Sequence, residues 1–134
     1  MINAIFLVIS TAILAIFNIA GMSGIGNFVR RTFVEIPVQI VKASVAIDAT
    51  DEINPDIYFS ETKLEDNVKN YLTTSLKNKV KTYKISFTYF NYKDNGQFDF
   101  ETNGRAKFVQ MHFICNYFLN YEIDEHLTFD ARKV

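Results

Sequence analysis

Two histidines, one cysteine and a short acidic run are the side chains of this chain that could do chemistry. His112 and His126 stand 14 positions apart, with no Cys-x-x-Cys and no histidine pair at i, i+4. A zinc site needs three or four ligands in register, so this spacing assigns no metal ligand. His112 falls beside Gln110 and Ile114 on what reads as the half-exposed side of a strand. Cys115 lies by parity among Met111, Phe113 and Tyr117, and an apolar setting raises a thiol pKa and leaves it inert. Glu122, Asp124 and Glu125 lack the regular oxygen spacing of a calcium loop. Asp99 and Glu101 alternate with Phe98 and Phe100, as solvated edge-strand charges do. Gly21, Gly24 and Gly26 follow an apolar run rather than a strand, and no Lys stands in P-loop position. Lys77, Lys79, Lys81 and Lys84 gather near the end of an expected helix, where cations complement the dipole; contact with anionic headgroups is the sharper alternative. No acid–base or nucleophile set converges. The expectation is a non-enzyme with no catalytic, cofactor-binding or metal-binding residue and no cofactor.

The elements that must position these groups divide sharply by charge. Met1 to Val29 carry no charged side chain, while the remainder holds all 14 Lys+Arg and all 15 Asp+Glu. That near balance gives no field suited to nucleic acid. Ala4 to Met22 is almost wholly apolar, and about 20 such residues in a helix cross a bilayer core. A single-pass transmembrane anchor is therefore expected over residues 1–29, contacting lipid through Ala4–Met22 and ending in a glycine hinge. A cleaved signal peptide would want a basic start and a better cleavage site than Asn18-Ile19-Ala20. Arg30 and Arg31 vote for a cytoplasmic domain by the positive-inside rule, too weakly to decide sidedness. The lone cysteine excludes an intramolecular disulfide.

Residues 30–134 are expected to form one α+β domain. Val34, Val38, Val41 and Val45 recur at 4-3-4 spacing, one stripe of a helix over residues 34–50 in which Pro37 forces a kink or a restart. Asp51 to Ser60 reads as a linker. Leu64, Val68, Leu72, Leu76 and Val80 predict a helix over 62–80, opened by Thr62 and Glu65 in capping-box spacing. From Thr82 the period becomes two: Tyr83, Ile85, Phe87 and Tyr89 mark a strand, Asp94-Asn95-Gly96 a hairpin turn, and Asn103-Gly104 a second turn. The odd positions from Val109 to Ile123 are all apolar, with a bend or fourth strand after Glu122–Glu125. The sum is helices packed on an antiparallel meander of three to four strands.

Thirteen of the 20 Phe and Tyr lie between Tyr83 and Phe129. Phe90, Tyr92, Phe98, Phe100, Phe108 and Phe118 fall on the parity opposite to the core face, so either helix 34–50 or a neighbouring subunit must cover them. The residues expected to act are thus Val34, Val38, Val41 and Val45 in helix packing, and Phe98, Phe100 and Phe118 in surface contact.

A charge-poor helix running into the valine stripe, then a linker, a helix and an aromatic meander, resembles pilin-type proteins, in particular the TadE-like pseudopilins of tight-adherence pilus and secretion systems. Those carry a glycine-containing leader and a glutamate at the apolar segment; here no acidic residue precedes Glu35. The resemblance implies a membrane-anchored, non-enzymatic structural subunit of the cell envelope, with an extracytoplasmic domain. Its partners would be other membrane, pilus or secretion subunits, nucleic acid is excluded, and a homo-oligomer is allowed. A second, architectural likeness is to cystatin-like or nuclear-transport-factor-like domains. It implies a tethered ligand-binding module with a pocket lined by Met111, Phe113, Tyr117 and Tyr121.

Overall fold

The computed structural model describes residues 2–80, 82–118 and 121–134, without the side chains of residues 2, 3, 6, 17–23 and 118. The order of elements is α1 (Ile2–Val34), α2 (Val38–Lys42), β1 (Val45–Asp48), β2 (Asp56–Phe59), α3 (Glu61–Ser75), β3 (Lys84–Tyr92), β4 (Phe98–Asp99), β5 (Phe108–Phe118) and β6 (Tyr121–Asp130). An antiparallel sheet with strand order β4-β3-β5-β6 carries the core, and β1-β2 forms a separate two-stranded ribbon.

The transmembrane anchor does not hold. Among the described residues no helix is long and apolar enough to cross a membrane. From Gly24 onward α1 belongs to the domain. The single-pass cell-membrane localisation falls with the anchor. The glycines also do not interrupt the helix, which runs unbroken from Ile2 to Val34.

Gly26, Val29 and Phe33 stand at i, i+3 and i+7, the inward stripe of a helix. Val29 and Phe33 are fully buried, and Phe33 stacks on Phe113 of β5 with ring centroids 4.9 Å apart and planes at 16°. A Cβ built at Gly26 would lie 2.6 Å from the Tyr117 hydroxyl, so the missing side chain lets α1 approach the end of β5. Tyr71 of α3 donates to the Thr32 carbonyl at 2.9 Å, tying the two helices.

The valine stripe is distributed over three elements. Val34 ends α1 and is 43% exposed, Val38 opens α2 at 52%, Val41 is fully buried, and Val45 starts β1. Pro37 decides this: it lacks a donor for the preceding helix and begins a new one, with the Ile40 amide returning to its carbonyl at 3.0 Å. The residues read as a helix end and a linker instead pair as β1 and β2, Val45 opposite Phe59 and Asp48 opposite Asp56. Arg105 clamps that ribbon at its loop end, at 2.9 Å from Asp48 and 3.0 Å from Asp56.

Helix α3 buries Leu64, Val68 and Leu72, with Leu76 just beyond its end. Its N-cap is Ser60, which makes no side-chain cap bond, so the Thr62–Glu65 box lies inside the helix rather than at its start. It ends at Ser75 because Leu76 leaves helical geometry and Asn78 takes a positive φ of 66°. Lys77 and Lys79 therefore lie beyond the last turn, and Lys79 sits 5.6 Å above the Phe28 ring of α1.

The strand order departs from a simple meander. Gly96 (φ 84°) turns the chain so that β4 returns on the outer side of β3, with Tyr92 opposite Phe98. A second turn at Asn103 (φ 54°) and Gly104 (φ 75°) carries the chain back to lay β5 on the other side. β5 and β6 form the longest pair, with His112 opposite His126 and a register shift between Asn116 and Phe118. Bulges of this kind re-aim a side chain; here the side chain is Tyr117, the partner of Gly26.

Candidate functional site

One face of the sheet is filled. Met111 and Phe113 are fully buried and Cys115 is 1% exposed, within a cluster shared with Val29 and Phe33 of α1, Leu64, Val68 and Leu72 of α3, and Val109. Burial pushes the Cys115 thiol above its ordinary pKa, and its Sγ donates to the Thr82 carbonyl at 3.7 Å. The pocket expected against Met111 and Phe113 is occupied by the protein's own Phe33 and Tyr83 rings, 4.9 and 5.6 Å from Phe113.

The even-numbered side chains of β3, β5 and β6 form the opposite face, which no helix covers among the described residues. Its middle is polar. Ser86, His112 and His126 lie in one row across three strands, and Thr88, Gln110 and Thr128 in the next. Directly opposed residues of an antiparallel pair bring their Cβ atoms to about 5 Å, which puts the two imidazoles in contact. They stack at a centroid distance of 4.0 Å with planes at 9°. Asp124, two residues before His126 on β6, turns onto both: its Oδ1 lies 2.6 Å from His112 Nε2 and 3.5 Å from His126 Nε2. One ligand atom from each of the three side chains lies within 4.8 Å of the others. Spacing along the chain assigned no metal ligand because the three residues meet across strands. The signal that could have found the cluster was parity: 112, 124 and 126 are all even, so a pairing of β5 with β6 that keeps parity places the three on one face.

One end of this face is aromatic. Phe90 is 5% exposed, surrounded by Tyr92, Phe98, Phe100 and Phe108 at ring distances of 5.6, 5.1, 6.5 and 5.4 Å. A recess of about 240 Å³ opens among these rings and Thr88, Gln110 and Thr128. Phe98 and Phe100 are 54% and 64% exposed, while the side chain of Phe118 lies outside the described residues. The helix over 34–50 expected to cover this patch does not form.

The third feature is the first half of α1. Ile5, Leu7, Val8, Ile9, Ile13, Leu14 and Ile16 are each between 47% and 68% exposed. At 100° per residue they spread around the whole circumference, so no polar side is left to face water.

Comparison with protein-family models, with curated proteins and with solved structures found no match. With no pilin or secretion relative and no membrane-crossing helix among the described residues, the description as a single-pass, pilin-like envelope protein is withdrawn. The likeness of layout to TadE-like pseudopilins is itself neither strengthened nor weakened.

Proposed function

We propose that the protein is a non-enzymatic structural subunit that assembles by packing the first half of α1 against the same segment of other copies. The observation that carries this reading is the apolar circumference of residues 4–16. A dimer seam covers one side of a helix, whereas a helix apolar all round calls for several neighbours. Completing the burial of seven half-exposed aliphatic side chains is worth on the order of 1 kcal/mol each, about 7 kcal/mol per chain, comparable to the cost of association. No charged side chain precedes Arg30, so neighbouring helices meet without side-chain charge repulsion. The α+β domain then stands at the outside of the bundle, with Phe98 and Phe100 available for lateral contact.

Light scattering on the full-length chain over a range of concentrations tests this. The expected result is an assembly of several copies that Leu7→Glu with Leu14→Glu disperses, while the β-sheet circular dichroism is retained. A monomer at every concentration, or an assembly indifferent to the two charges, would overturn the reading.

A further inference from the structure

From His112, Asp124 and His126 we infer a binding site for a divalent transition-metal ion of the zinc class, on the open face of the β5–β6 pair. It stands independently of the assembly proposed for α1. Zinc takes imidazole nitrogen and carboxylate oxygen at about 2.0–2.2 Å, so tetrahedral ligands lie roughly 3.3 Å apart. The His126 Nε2–Asp124 Oδ1 separation of 3.5 Å already matches, and the His112 Nε2–Asp124 Oδ1 separation of 2.6 Å needs to open by less than an ångström. All three ligand atoms lie within 4.8 Å. Side-chain rotation makes these adjustments and turns the two imidazoles out of their parallel stack so that both Nε2 lone pairs converge, because the three side chains are between 30% and 52% exposed on the outer face and support no core contact.

The backbone supplies the order such a site needs. His112 and His126 are held opposite one another in the longest ladder of the sheet, and Asp124 shares their face two residues away. Two nitrogens and one carboxylate oxygen favour zinc, copper or nickel over magnesium and calcium, which require more oxygen ligands. Three protein ligands leave a fourth position open to water or to a donor from another molecule. The ion would clip β5 to β6 on the face left open by the helices.

Calorimetric titration of the tag-free full-length chain with zinc chloride is the experiment, with magnesium chloride as control. One zinc per chain is expected, no heat with magnesium, and a higher melting temperature with zinc. His112→Ala, His126→Ala and Asp124→Asn should each weaken zinc binding at least about tenfold and abolish the thermal shift. Cobalt in place of zinc should give tetrahedral visible absorption that the three variants lose. Absence of binding at millimolar zinc would overturn the site, as would binding that persists in the triple variant. Unchanged circular dichroism of the metal-free variants excludes misfolding as the cause of a loss.

Discussion

Asp48 shows how one side chain joins a local turn to a distant loop. Its Oδ1 accepts the Thr50 amide at 3.1 Å and the Thr50 hydroxyl, and its Oδ2 meets Arg105 at 2.9 Å. The Thr50 hydroxyl bond leads, followed by the Thr50 amide and Arg105, in lowering the carboxyl pKa to about 2. Because the folded value lies below the unfolded one, the contribution is present above the ordinary carboxylate range and is lost as pH falls toward 2. An NMR titration should find Asp48 with a midpoint near 2. Thr50→Val should move it upward further than Arg105→Ala, since the hydroxyl is the larger influence. The Asp48–Thr50 bond is local, though the expected helix over 34–50 hid it, whereas Arg105 reaches Asp48 only because the ribbon lies beside the Asn103–Gly104 turn.

Helices and strands tell apart two glycines that look alike in the sequence. Gly24 and Gly26 both lie in α1, yet a Cβ at Gly24 meets nothing within 4 Å while one at Gly26 meets the Tyr117 ring. Gly24→Ala should stabilise by about 0.5–1 kcal/mol through helix propensity. Gly26→Ala gains the same propensity but must displace a tyrosine held by the β5 bulge, an overpacking cost of about 1–3 kcal/mol. Its net effect should be destabilising, and Tyr117→Ala should reverse that sign. Chemical denaturation of the four variants measures both. The glycines were visible in the sequence as loosening elements, but their separate roles depend on which side of α1 faces β5. The lysines after α3 behave alike, because the stop at Ser75 comes from Leu76 and Asn78 rather than from the apolar period, which continues to Val80.

One core unites α1, α2, α3 and the sheet, with Phe33, Val41, Leu72 and Phe113 in a single buried cluster. Burying an unpaired carboxylate there costs several kcal/mol, a large part of a total stability of about 5–15 kcal/mol. Val41→Asp should therefore unfold the whole domain in circular dichroism, whereas Val38→Asp, at 52% exposure, should stay within about 0.5 kcal/mol of the parent. The stripe that joined these two valines in the sequence does not survive Pro37. By itself the sequence determined the apolar, uncharged character of residues 1–29, the inward face of α3, the alternation of β3 and β5, and the glycine turns. These depend on residue type and short-range period, which a linear chain displays directly. Only the tertiary structure decided that α1 continues into the core, that β1 and β2 pair, and that β4 returns on the outer side of β3. It alone brought His112 and His126 together. The alternation of odd positions runs on across the β5–β6 reversal, since residues 117 and 121 share a parity, and a period that does not change cannot mark where the chain turns back.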